Sequence, residues 1–247
     1  MKKALQAFLQ RIFGFQRYLY LFSRFKILTL RWDGPQQEGD FNHFLTLIRP
    51  QDVVLDIGAN IGIMTVLMAQ RAKQGQVYAF EPVPDNLAVL HKVVAAYRLT
   101  HVNILPFALG EDQAQVEMSM PILKGVKMQG LSHVNHQSIE GYQASANTYR
   151  VEQKSLDQIE VLRQTTVNAI KIDVENYEQF VFRGGKELLQ RCKPIIYCEL
   201  WDNENRRNCF DFLTNLGYLI RVLVDEKLVT FDPLIHPNHN FFFIPAT

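Results

Sequence analysis

A glycine turn flanked by two acidic residues carries the strongest chemical signal in the chain. Residues 52–62 read DVVLDIGANIG: an apolar strand ending near Asp56, a turn containing Gly58 and Gly62, and the start of a helix. Glycines at such a turn let the backbone approach a ligand, and a helix start offers N–H groups to a carboxylate or phosphate. Asp56, at the strand's carboxyl end, is of the type to hold a ligand's ammonium group. Glu81 ends the next strand, in the run Tyr78-Ala79-Phe80-Glu81-Pro82, nineteen residues after Gly62. An acid at that spacing can accept hydrogen bonds from a ribose diol. The pair reads as a nucleoside site. Asn60 stands where the second glycine of a dinucleotide fingerprint admits a pyrophosphate, which argues against a nicotinamide-dependent oxidoreductase. An acid facing an amino group, plus a ribose anchor, suits S-adenosylmethionine better.

A second cluster lies further along. Lys171, Asp173 and Glu175 alternate, so a single strand would put them on one face. Charged side chains in a buried strand are uncommon unless paired; ion pairing with Asp56 or one another competes with a role in catalysis or substrate binding. Glu199 closes the next strand and could face the same cleft. His133 and His136 lie in a long polar stretch, either in solvent or brought to a substrate by loop closure. His43, His91, His101, His236 and His239 show no metal-ligand spacing, and Cys192, Cys198 and Cys209 form no CxxC pair. The expectation is a metal-independent protein of a reducing, cytoplasmic compartment.

These residues must be held by an ordered scaffold, and the pattern supplies one. Strands are predicted at 53–55, 76–80, 102–109, 169–174 and 194–200, with helices at 39–49, 61–72, 84–97 and 177–191. Near-continuous apolar strands with helical crossovers argue for a mostly parallel sheet covered on both faces. Strands at 218–224 and 241–245 have no helix between them and predict an antiparallel pair closing a seven-stranded sheet. Residues 110–155 break the alternation: 115–120 and 148–153 are predicted to pair as a hairpin around a polar stretch of lid or loop length.

The 247 residues fit one α/β domain, residues 39–247, preceded by a helical extension, residues 1–38. Residues 1–32 hold seven basic side chains and no acid, with helical spacing of Leu5, Phe8, Leu9, Ile12, Phe15, Leu19 and Phe22. Arg11, Arg17, Arg24 and Lys26 interrupt the apolar run too often for a membrane span. Two readings of the arm stay open: a helix packed on the core, or a peripheral contact with an anionic membrane. The remaining 215 residues carry a net −6, so no nucleic-acid partner is expected from bulk charge, and only the basic arm could work that way.

The sequence resembles the FkbM family of S-adenosylmethionine-dependent methyltransferases over about residues 40–220. The resemblance rests on DVVLDIGANIG at 52–62, AFEP at 79–82, FALG at 107–110, SLDQI at 155–159 and KIDVENYE at 171–178. Asn176 departs from the glycine of the family's D-V-E-G-x-E run. The resemblance implies a class I, Rossmann-like methyltransferase fold and transfer of methyl to the hydroxyl of a small molecule, a sugar or another polyhydroxylated natural product. It places Asp56, Gly58, Asn60 and Gly62 along the methionine part of the donor, Glu81 at its ribose, Phe107 and Ala108 beside adenine, and Asp173 beside the methyl. Asp173, Lys171 and His133 are the candidate catalytic residues, with the general base open between Asp173 and His133. The alternatives are the oxidoreductase and a non-catalytic, membrane-peripheral nucleoside-binding protein.

Overall fold

The computed structural model describes residues 2–32, 38–136 and 146–246. Helices α1 (Lys2–Phe13) and α2 (Phe15–Trp32) are separated by Gly14 at φ 74°, and α3 (Gly39–Leu47) follows. Then come β1 (Val53–Ile57), α4 (Ile63–Arg71), β2 (Gln76–Phe80), α5 (Pro84–Ala96) and β3 (Val102–Leu105). The insertion holds β4 (Ala108–Leu109), β5 (Ala114–Leu123), β6 (Val126–Lys127), β7 (His133–Val134) and β8 (Ala146–Lys154). The chain continues through α6 (Glu160–Arg163), β9 (Ala169–Ile172), α7 (Glu178–Gly184), α8 (Lys186–Cys192) and β10 (Ile195–Glu199). It ends in α9 (Glu204–Asn215), β11 (Tyr218–Val224), β12 (Lys227–Thr230) and β13 (Asn240–Pro245).

The main sheet has the order β12-β11-β13-β10-β9-β1-β2-β3. From β10 to β3 every pairing is parallel; β13 adds antiparallel to β10 and β11 to β13. The expected closing pair therefore forms, with its last strand inserted inside. The sheet has eight strands rather than seven, because Lys227–Thr230 adds a half-exposed edge strand by a hairpin with β11. Side chains alternate between two cores, as strand geometry requires. Val54, Val77, Ala169, Tyr197 and Phe242 pack toward α2, α3, α4 and α5, while Leu55, Phe80, Ile170, Ile196 and Phe243 pack toward α7, α8 and α9.

Three other expectations give way to local chemistry. The third strand stops at Leu105, since Pro106 has no N–H for a ladder. The helix expected at 177–191 breaks at Gly184-Gly185, where a Cβ on Gly184 would lie 2.0 Å from the Gly110 carbonyl oxygen. The fourth strand ends at Ile172; Glu175 and Asn176 have φ of 52° and 71°, so Lys171, Asp173 and Glu175 do not share a strand face. Helix α9 was not legible: its sequence ENRRNCFDFLTN is largely polar, and Asn205, Cys209 and Leu213 are the residues it buries.

The insertion pairs as expected, β5 against β8 antiparallel with Val116 opposite Val151. It forms a second small sheet, β4-β8-β5-β6, with β7 on β5.

Candidate active site

In an open α/β sheet ligands bind beyond the carboxyl ends of the strands, where the chain leaves neighbouring strands in opposite directions. Here that point lies between β1 and β9. The end of β1 supplies Ile57 and Gly58, the end of β2 Glu81, and the turn after β9 Asp173, Val174 and Glu175. The insertion covers them with Met118 of β5, Gln129, Gly130 and Ser132 of a short turn, and Val134 of β7. The resulting cleft measures about 610 Å³ with its mouth and the open solvent there included.

The glycine turn is braced from within. Gly58 and Ala59 both donate backbone N–H bonds to the Phe80 carbonyl, at 3.1 and 2.9 Å. Asn60, at φ 50°, donates its N–H to Glu81 Oε2 at 2.8 Å. Glu81 Oε1 accepts from Val83 N at 2.8 Å and Asn86 Nδ2 at 3.3 Å. Burial pushes the Glu81 carboxyl up to about 7, against the lowering effect of these hydrogen bonds. The glutamate thus shapes the turn and lines the cleft together. Gly62 is needed for packing instead: at φ 83° it caps α4, and a Cβ there would lie 2.7 Å from Leu90 Cδ1. It does not line the cleft.

Asp56 and Lys171 are a structural pair. They are register neighbours on β1 and β9 and point to the same face. Asp56 is fully buried, accepts from Thr65 Oγ1 at 2.5 Å and lies 3.5 Å from Lys171 Nζ. Lys171 Nζ also donates to the Gly58 carbonyl at 2.9 Å. Burial would lower the lysine's pKa, but the Asp56 and Asp173 charges outweigh it and the net shift is upward. An ammonium fixed in this way is no proton acceptor, and an enclosed Asp56 cannot reach a ligand's ammonium. The ammonium contact expected of Asp56 is corrected, since that residue is enclosed; Lys171 braces the β1 turn and also borders a second cavity.

His133 is also corrected. Ser132 and Val134 face the cleft, so His133 between them on β7 faces away. It is buried, with Nδ1 3.0 Å from the Leu131 carbonyl oxygen. His136 packs its ring on Phe180, centroids 4.7 Å apart, and on Tyr177 at 5.9 Å.

Phe107 and Ala108 line the cleft as expected, with the Phe107 ring 5.8 Å from that of Phe80. Asp173 lines it too, and the turn after it is stiff. Glu178 accepts from Val174 N at 3.0 Å and from Asn205 Nδ2 at 2.6 Å. Asn176 sits in the left-handed region, where glycine is at home and asparagine is among the residues that tolerate it. That is the physical content of the departure from the family's glycine. Glu175 faces the cleft with its carboxyl raised to about 8, first by burial and then by the charges of Asp173, Glu199 and Glu178. Glu199 is raised to about 7, by burial and then Asp173.

Sequence reasoning missed several lining residues: Asn86, Met118, Gln129, Ser132, Val134 and Tyr177. Asn86 is one turn into α5 and carried no motif. The others come from the insertion or a helix start that no local pattern ties to the turn at Gly58.

A second cavity, about 640 Å³ with its mouth, shares Gly58, Asn60, Gln129 and Asp173 with the first. Its other walls include Phe22, Lys26 and Leu30 of α2, Glu38, Ile63 and Met64 of α4, and Lys171 of β9.

The sequence matches the Methyltransferase FkbM domain over residues 56–222. The chain belongs to the FkbM methyltransferase family. The matched FkbM domain starts at Asp56 and runs into β11, so it includes every strand end that lines the cleft. A curated relative, Methyltransferase 1 of Beauveria bassiana, is 27% identical over 143 residues, 53% of this chain and 57% of that one. The crystal structure of Methyltransferase FkbM from Methylobacillus flagellatus KT aligns with 79% of this chain and 44% of its own, at 14% identity and a TM-score of 0.54. This chain thus spans little more than half of the curated relative and less than half of that structure. The structural likeness shows a class I methyltransferase fold.

The cleft suits S-adenosylmethionine, the methyl donor that the family resemblance implies, on chemical grounds. Two buried acceptors in its lining, Asn60 Oδ1 and Asn86 Oδ1, have no hydrogen-bond partner among the described residues. Glu81 accepts three hydrogen bonds of about four that a carboxylate can take. Ribose hydroxyls and an adenine amino group are the donors such a set lacks. Phe107, Met118 and Val134 give the apolar surface for a base.

Proposed function

We propose that the protein is an S-adenosylmethionine-dependent O-methyltransferase acting on a hydroxyl of a sugar or another polyhydroxylated small molecule. One observation carries the reading: two cavities meet at Asp173, with a second carboxylate, Glu175, beside it in the first. The first cavity takes the adenosine half of the donor, with Glu81, Asn60 and Asn86 on its polar groups. The second takes the amino-acid half, with Lys26 toward its carboxylate and Asp173 and Glu38 toward its ammonium. This replaces the role first read for Asp56. When bound, the donor supplies an electrophilic sulfonium methyl group.

A hydroxyl needs help that an amine does not, because its proton must leave as the oxygen attacks. Asp173 accepts a hydrogen bond from the acceptor hydroxyl and orients it. Glu175, titrating at about 8, has the basicity to take the proton near neutral pH. Orientation of the two reactants supplies several kcal/mol of the barrier reduction. Tyr177 and Val174 complete the wall and exclude water.

The test is incubation with labelled donor and a panel of sugars and polyols, with product masses read by mass spectrometry. Addition of one methyl to a hydroxyl supports the reading. Failure to bind S-adenosylmethionine in titration calorimetry, with binding of NAD instead, would replace it with the oxidoreductase.

A further inference from the structure

Helices α1 and α2 precede the matched family domain, which begins at Asp56. Helix α2 is packed on the core by one face: Leu19, Ser23, Ile27 and Leu30 are buried. The packed reading of the extension therefore holds for that face, but it leaves the opposite one unexplained. Seven of the thirteen exposed large apolar side chains among the described residues lie on these two helices, an eighth of the chain. On α1, Leu5, Phe8 and Ile12 are each 58% exposed; on α2, Leu21, Phe25 and Leu28 are 48–63% exposed. Spacings of three, four and seven put each trio on one helix face.

The charge around them has one sign. Residues 1–32 contain seven basic and no acidic side chains. Arg11 and Arg24 lie within three residues of Phe8 and Leu21, Arg17 four before Leu21, and all three are exposed. None of the three is in an ion pair among the described residues. Apolar side chains interleaved with basic and no acidic residues complement a surface that is apolar within and negative at its rim. No helix among the described residues is long and apolar enough to cross a membrane.

We propose that the outer faces of α1 and α2 dock on an anionic lipid bilayer, lying in its interface without spanning it. The inner face of α2 lends Phe22, Lys26 and Leu30 to the second cavity. A helix with its side chains is about 10 Å across. Docking therefore sets the active site about one helix diameter from the headgroups, and an acceptor carried at the lipid surface has a short path to Asp173.

The experiment is co-sedimentation of the full chain with phosphatidylcholine vesicles, with and without phosphatidylserine. Pelleting should require phosphatidylserine and weaken as salt is raised. Each of Arg11→Gln, Arg17→Gln and Arg24→Gln should lower the partition coefficient about fivefold, the equivalent of about 1 kcal/mol per basic residue. The double variant Phe8→Ser, Phe25→Ser should lower it further, with its circular dichroism and donor binding unchanged because these side chains face solvent. Pelleting that ignores phosphatidylserine, or that these variants leave unchanged, overturns the proposal. So does a dimer in light scattering that Phe8→Ser, Phe25→Ser converts to monomer, since a second copy would then be what covers the face.

Discussion

Gly58 and Asp173 meet backbone to backbone: a Cβ on Gly58 would lie 2.0 Å from the Asp173 carbonyl oxygen. The contact joins the end of β1 to the end of β9, and so joins the donor turn to Asp173, which like Gly58 itself borders both cavities. Gly58 is also at φ 76°, where a side chain is strained. The close approach explains why a glycine is required here, whatever ligand the turn serves.

Gly58→Ala should therefore separate the two strand ends or unfold the domain. A cost of about 3 kcal/mol or more is expected from backbone overlap plus left-handed strain. A loss of that size lowers the melting temperature by roughly 6–12 °C in a chain of this length. A melt within a degree of the parent would show that the contact is soft.

The pair formed by Asp56 and Lys171 makes a different forecast. Removing one member leaves a buried charge unpaired, so Lys171→Met should cost about 3–5 kcal/mol. Replacing both, Asp56→Leu with Lys171→Met, removes the uncompensated charge and should recover much of the loss. Equal destabilisation by the single and double variants in denaturant titrations would show that Lys171 acts through its bonds to the Gly58 turn alone.

Glu81 should not be replaced by alanine to test the ribose contact, because three protein donors would lose their acceptor. Glu81→Gln keeps the shape and, with its oxygen toward Val83 and Asn86, two of the three bonds, while it removes the charge and the bond from Asn60. Hydrogen bonds to a charged acceptor are worth about 1.5–3 kcal/mol, so affinity for S-adenosylmethionine should fall tenfold or more. In the parent protein, affinity should also weaken as the pH falls through about 7, where burial has placed the carboxyl's titration. Calorimetry across that range reads both.

Stability should move the other way with pH. Glu81, Glu178 and Glu199 are raised to about 7 and Glu175 to about 8, burial being the first cause in each. Glutamate in the unfolded chain titrates at about 4.3, so the folded state holds these protons more tightly. Their contribution is complete below that value and is lost as the pH rises through 7 to 8. Thermal melts of the ligand-free protein should rise in temperature on going from about pH 8.5 to about pH 6. A flat or inverted profile would contradict the burial of this cluster.

The two carboxylates at the junction of the cavities separate kinetically. Glu175→Gln should remove the limb of the pH–rate profile that reports the base. Asp173→Asn should reduce turnover and leave that limb in place, since an orienting residue carries no proton to the product. Loss of the limb in Asp173→Asn alone would exchange the two roles.

Much of this was present in the sequence. The alternation of Val53–Ile57, Gln76–Phe80 and Ala169–Ile172 with helical runs fixes a parallel sheet, because strands buried on both faces must be apolar throughout. DVVLDIGANIG and the acid at Glu81 mark the donor turn, because only short-range geometry decides what a strand–turn–helix can approach. Other assignments waited on residues far apart in the chain. Asp56 and Lys171 are 115 positions apart and become neighbours through strand register; from sequence each could equally have faced a ligand. The side to which His133 points depends on the pairing of a two-residue strand with β5, which no periodicity can show. Asp173 and Glu175 occupy a turn rather than a strand because Glu178 and Asn205, on two different helices, hold the chain there. The cover over the cleft and the Lys26 wall come from the insertion and the arm, whose contacts with the sheet are long-range. Local propensity determined the elements. Burial, register and charge pairing, which exist only once the chain has folded, determined which acids and bases are free to act.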